Sequence, residues 1–128
     1  TFSSVLALSC SVLSSVLTRP SSGFSYTRVW CTTADGNVSS FACGMAEALG
    51  YLTDHNVIPQ FVEDMGLNYG SYTSEKDGNF YEIWLQDATA VEEEMKMIKE
   101  FDLAGVAEWK IGFESGSEIW DTIQSYLQ

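Results

Sequence analysis

The sequence predicts an α/β fold with an α+β part, and three observations carry the prediction. Residues 80–120 read as strand, helix, strand and the start of another helix. Residues 57–86 hold three short runs rich in β-branched and aromatic side chains, separated by turn residues. A stretch with helical spacing of its apolar positions, Phe41 to Asn56, precedes those runs. At 128 residues and 45% hydrophobic the chain has the size of one domain and can bury a core.

In chain order, Thr1 to Thr18 is uncharged and rich in serine and apolar residues. Val5, Leu8, Val12, Leu13 and Val16 fit one side of a helix, although serine and valine are middling helix formers. Three readings stay open: the remnant of a secretory signal, a packed amphipathic helix, and sequence foreign to the downstream fold. The packed helix is the default, since an initiating Met and a basic leading region are missing and the run is marginal for a membrane span. Arg19 to Ser22 breaks it, because Pro20 lacks an N–H and disfavours helical geometry in the residue before it.

Gly23 to Trp30 reads as a strand and Cys31 to Ser40 as a loop. Phe41, Met45, Ala48, Leu49 and Leu52 then share one helical face, with Ser39 or Ser40 available as a cap. Strands are predicted over Ile58–Glu63, Leu67–Thr73 and Phe80–Gln86, with Asp77 and Gly78 supplying positive φ in the last hairpin. Phe80–Gln86 is largely apolar on both faces, which predicts cover on both sides. Thr89 and Glu92 form a capping box, and Val91, Met95, Ile98 and Phe101 form a buried stripe, with Glu92 and Lys96 as an exposed pair. Leu103 to Ala107 reads as a parallel strand that closes a crossover unit with Phe80–Gln86. Ser115 and Glu118 make a second capping box, ahead of a helix presenting Ile119, Trp120, Ile123, Tyr126 and Leu127 to the core.

Composition excludes several functions. With 18 acidic against 6 basic residues, a net charge of −12, the chain repels nucleic acid and anionic membrane surfaces. The single histidine, His55, falls at a helix end and argues against a His-based metal cage, and no cofactor is expected. Cys10, Cys31 and Cys43 lack the spacing of a zinc site; a Cys31–Cys43 disulfide is one reading and free buried thiols the favoured one.

The residues Asp102 to Asp121, DLAGVAEWKIGFESGSEIWD, together with Tyr81 to Asp87, YEIWLQD, resemble the last β/α unit of the family 18 glycoside hydrolases. Tyr26-Thr27-Arg28 is similar to the tyrosine and arginine of that family's seventh-strand motif, Gly-x-Pro-x-Tyr-x-Arg, without its proline. After the aspartate that matches Asp87, the family's serine and lysine are replaced by Ala90 and Glu94. The resemblance implies a partial (β/α)8-barrel fragment, residues 23–128, interrupted at about 41–79 by a small α+β insertion of about three antiparallel strands and one helix. Residues 1–22 stay apart from it.

A full barrel of this type runs to roughly 250 residues, so the resemblance also implies a C-terminal portion with open sheet edges and a tendency to self-associate. It makes Trp109 the aromatic floor of a sugar subsite, with a core tryptophan as the equal alternative. Tyr26 and Arg28 would face the same cleft, although each taken alone reads preferably as structural, and Asp87 is a cleft acid or, preferably, a helix cap. The implied partners are N-acetylglucosamine polymers, chitin or peptidoglycan, and the implied setting is secreted or cell-envelope associated. The family's catalytic run Asp-x-x-Asp-x-Asp-x-Glu does not occur in these 128 residues. Glu92-Glu93-Glu94 is expected on the exposed side of a helix and the acids at Glu114 to Glu118 around a helix start. Expected functions are therefore a glycosidase fragment lacking its acid, or a non-catalytic carbohydrate-binding or self-associating α/β domain.

Overall fold

A computed structural model describes residues 6–8, 27–108 and 111–127. Its elements, in order, are β1 (Leu6–Leu8), β2 (Arg28–Thr32), β3 (Val38–Ala42), α1 (Met45–Asp54), β4 (Gln60–Val62), β5 (Leu67–Thr73), β6 (Phe80–Leu85), α2 (Ala88–Glu100), β7 (Val106–Glu108) and α3 (Glu118–Tyr126). Five strands form an antiparallel sheet in the order β3-β2-β6-β5-β4, and β1 pairs in parallel with β7, Leu6 opposite Val106. The α+β expectation stands, and the three expected strands are joined in one sheet by β2 and β3.

Local chemistry sets the turns. Between β2 and β3 the Thr33 N–H donates to the Asn37 carbonyl at 2.9 Å, and Asp35 accepts from the Asn37 amide at 2.7 Å. This closed loop turns Val38–Ala42 back onto β2, so Phe41, expected on a helix, lies in β3. Between β5 and β6 the Ser74 N–H donates to Asn79 O at 2.9 Å and Gly78 takes φ 72°. Asp77 does not share that left-handed conformation; its side chain accepts from the Asn79 N–H at 3.0 Å instead.

The helix ends differ from the capping boxes read in the sequence. Gly44 is the N-cap of α1 without any side-chain hydrogen bond, and the Met45 N–H donates to Phe113 O at 2.7 Å. Asp87 caps α2, accepting from the Thr89 and Ala90 N–H groups at 3.0 and 3.1 Å, because it stands two residues nearer the end of β6 than Thr89. Ser117, with no side-chain cap bond, precedes α3. Both α1 and α2 end in the same way. Asn56 and Asp102 adopt φ 55° and 49°, and the N–H groups of Val57 and Leu103 return to the carbonyls of Leu52 and Ile98 at 2.9 and 3.0 Å. Short polar side chains tolerate that conformation, and the apolar residue that follows folds back onto the helix.

The core joins Val29, Met45, Ala48, Leu52, Ile83 and Leu85 to Val91, Met95 and Ile98 of α2 and to Ile119 and Ile123 of α3. Phe101, Trp120 and Leu127, expected inside, are exposed. The two faces of β6 differ: Ile83 and Leu85 are buried while Glu82 and Trp84 are half-buried. Cys31 and Cys43 are free thiols, and burial, then Glu47, pushes the Cys43 thiol up to about 11.

Two further expectations are corrected. Leu6–Leu8 is strand and not helix, in keeping with the valine and serine around it; the rest of residues 1–22 lies outside the described residues. The crossover unit does not form, since β2 and β5 occupy both edges of β6 and β7 pairs with β1. Among the described residues no helix is long and apolar enough to cross a membrane.

The helix α1 reaches the sheet at Gly70, where a Cβ would stand 2.7 Å from Leu52 Cδ2 and 3.1 Å from Val57 Cγ1. Gly70→Ala should force the buried Leu52 aside and destabilise the fold by about 1–3 kcal/mol, read as a lower urea midpoint at unchanged slope.

Candidate functional site

Strand alternation divides the five-stranded sheet into two faces. Val29, paired with Phe41 and Ile83, points to the α1 side. Arg28 therefore points to the other, together with its partners Ala42 and Trp84 and with Trp30, Ser40, Tyr69 and Glu82. The pairing collects residues from four strands onto one surface.

That surface is both aromatic and polar. The Arg28 guanidinium donates to Ser40 Oγ from Nε at 2.9 Å and from Nη2 at 2.7 Å, and its carbon stands 5.5 Å from the Trp30 ring centre. Tyr69 packs on Trp84 with ring centres 4.6 Å apart and planes tilted by 49°. The Tyr69 hydroxyl donates to Glu82 Oε1 at 3.0 Å, and its pKa is raised, first by burial and further by that carboxylate. Rings of this kind offer apolar faces to a flat ligand, while Arg28 and Glu82 supply a donor and an acceptor for hydroxyl groups.

Of the expected site residues, Trp109 and Tyr26 lie outside the described residues. Arg28 belongs to the surface just described. Asp87 lies beyond β6, with one oxygen capping α2 and the other accepting from Asn68 Nδ2 at 2.8 Å. Trp30, Tyr69, Glu82 and Trp84 were not anticipated. The alternation of Glu82 with Trp84 was visible in the sequence, but the register that places β2 beside them was not.

A second cluster lies beneath the start of α2. Glu94 was expected on the exposed side of the helix, yet it is part-buried and accepts from Gln86 Nε2 at 2.9 and 3.0 Å. Burial pushes its carboxyl up to about 8, with the Gln86 hydrogen bond pulling the other way. The Gln86 N–H donates to Thr27 Oγ1 at 3.1 Å, and buried Gln86 Oε1 has no partner among the described residues. The signal was present, since Glu94 sits three residues after Val91 and four before Ile98, on the buried stripe. The ion pair on α2 joins Lys96 to Glu93, not to Glu92. Among the described residues no three His, Cys, Asp or Glu side chains converge to hold a metal.

No protein-family model and no curated protein matches the chain. Solved structures match its fold. It is similar to the C-terminal domain of a protein named as a chitinase from Desulfitobacterium hafniense DCB-2, with a TM-score of 0.68 and 24% identity over 80% of this chain and 33% of that one. The spore cortex-lytic enzyme SleL of Bacillus megaterium QM B1551 matches with a TM-score of 0.63 and 22% identity over 77% of this chain and 23% of that one. A glycoside hydrolase family 18 N-acetylglucosaminidase from Paenibacillus barengoltzii matches with a TM-score of 0.62 and 16% identity over 95% of this chain and 33% of that one. The chain thus spans a third or less of the length of these structures, and it shares its fold with part of these chitinase-like structures.

Glu94 holds its proton up to about pH 8 in the folded chain, against about 4.5 as an ordinary carboxyl, so the folded state carries the extra proton between these values. Stability should fall as pH rises through that window, by roughly 2–4 kcal/mol in all. Glu94→Gln keeps an acceptor for Gln86 Nε2 and adds a donor for its Oε1. Denaturation curves across the window should show the variant gaining on the wild type as pH rises; parallel curves would mean that Glu94 titrates as an ordinary surface acid.

Proposed function

We propose that this chain is the C-terminal part of a (β/α)8 glycosidase barrel, contributing sugar-binding residues for an N-acetylglucosamine polymer while the proton donor belongs to residues outside it. The observation that carries this reading is the aromatic and polar sheet face around Arg28, on a fold shared with chitinases and a cortex-lytic enzyme. In it β1 and β7 are neighbouring barrel strands, and the inserted part grows from 41–79 to take in β2, β3 and β6, because these share one sheet with β4 and β5. Residues 1–22 then include a barrel strand, and 23–128 form the rest of one unit.

Each site residue has a task in this reading. Trp109, next in the chain after β7, has the task of stacking under a pyranose, and Tyr26 and Arg28 have that of polar contact with the sugar. Arg28, steadied by Ser40 and Trp30, donates to sugar hydroxyls. Asp87 joins the end of β6 to α2, and thereby holds the cleft wall in place. The substrate is chitin or peptidoglycan, and the place of action is outside the cell or in its envelope. Self-association through the edge of β7 that has no partner strand among the described residues would complete the sheet with a second copy.

Titration with N-acetylglucosamine oligomers, followed by tryptophan fluorescence, tests the reading. The wild type should show saturable quenching, and Arg28→Ala and Trp109→Ala should each weaken it by about 1–2 kcal/mol. No turnover of a fluorogenic chitobiose is expected from these residues alone. Absence of saturable binding would reject the sugar-binding role, and turnover abolished by substitution of one carboxylate would place the acid within this chain.

A further inference from the structure

We propose that the cleft between the C-terminal end of α1 and the β5–β6 hairpin binds a small organic cation, an alkylammonium group. This cleft opens on the sheet face opposite Arg28: Val29 and Phe41 are paired, and Cys31, Tyr81 and Tyr72 pair in a row beside them. It encloses about 350 Å³, enough for a small ligand. Five rings line it, those of Phe41, Tyr51, His55, Tyr72 and Tyr81.

The rings are held in place. His55 stacks on Tyr72 with centres 3.6 Å apart and planes 11° from parallel, and Tyr72 on Tyr81 at 5.2 Å and 20°. His55 Nδ1 lies 2.8 Å from Tyr51 O, which fixes the imidazole at the end of α1. An aromatic cage by itself accepts any apolar group of the right size; charge decides between a neutral guest and a cation. Asp77 is on the lining, and its carboxylate is held ionised by hydrogen bonds from the Asn79 N–H, Ser74 and the Tyr81 hydroxyl.

The field extends beyond Asp77. The Tyr72 hydroxyl is raised by burial and then by the negative charges of Asp77 and Asp54, so two carboxylates act on the same ring. Glu47 accepts from the Tyr51 hydroxyl at 2.9 Å on the outer side of α1. Negative potential and electron-rich ring faces together favour an ammonium over its neutral counterpart. Lys76 also lines the cleft and opposes this; it stands on the exposed hairpin turn and has no ion-pair partner among the described residues. On the lining itself Asp77 faces Lys76 with opposite charge, and Asp54 and Glu47 add negative charge from α1 beyond it.

Choline is the probe, and dimethylbutanol, in which carbon replaces its charged nitrogen, is the control. Amide chemical shifts of the full chain, at constant ionic strength, should saturate at Tyr51, His55, Tyr72 and Tyr81 at millimolar choline. Dimethylbutanol should bind at least about five-fold more weakly. Asp77→Asn, which keeps an acceptor for Asn79, should weaken choline about three-fold or more, and Lys76→Ser should tighten it. Both substitutions are at exposed hairpin positions, and the comparison of the two ligands needs no substitution. Equal affinity for the neutral isostere, shifts that do not saturate, or unchanged affinity in Asp77→Asn would each overturn the proposal.

Discussion

The register between β2 and β6 is the constraint on which the rest of this molecule depends. Arg28 opposite Trp84 and Val29 opposite Ile83 fix which side of the sheet each residue serves. A slip of one residue would carry Arg28 under α1 and expose Val29, because side chains alternate with a period of two. The penalty is large on the α1 side, where Val29 and Ile83 are 1% and 0% exposed. Burial on one face thus dictates the composition of the other. The placement of the polar, aromatic surface follows from the hydrophobic core behind it through backbone pairing, and its own contacts, Arg28 to Ser40 and Tyr69 to Glu82, then hold the side chains.

The same logic explains what the sequence made legible. Segments whose apolar residues follow one period over several positions were found at or near their true limits, as with Leu67–Thr73, Phe80–Leu85 and the body of α2. Elements defined by a neighbour were not. Val38–Ala42 is largely exposed and becomes a strand because the loop after β2 turns it back into the ladder. Leu6–Leu8 is a strand because Val106–Glu108 lies beside it. The strand–helix–strand pattern across α2 was read correctly as a pattern, yet its two strands belong to different sheets, which only the occupied edges of β6 reveal. For the candidate surface, Arg28 was named through a motif, while Trp30, Tyr69, Glu82 and Trp84 required the cross-strand pairing.

Gln86 and Glu94 form a polar pair on the packed side of α2. Here an amide faces a carboxyl, and Gln86 Nε2 gives both oxygens a hydrogen bond but leaves its own Oε1 without one. Protonation lets the carboxyl return a bond to that oxygen and removes a charge from a poorly solvated position. The pair is therefore satisfied in its neutral form, and the helix that carries it packs most favourably when the acid is un-ionised.

The hydrogen bond from the Met45 amide to the Phe113 carbonyl joins the first turn of α1 to the loop ahead of α3, across nearly seventy residues of chain. Few other groups serve the start of α1, since its capping residue is a glycine with no side chain to offer. Loosening the segment around Phe113 therefore withdraws support from the helix on the far side of the core. Amide hydrogen exchange would register the two ends as one cooperative block, so the five-stranded sheet and the closing helix open together and not as separate leaves.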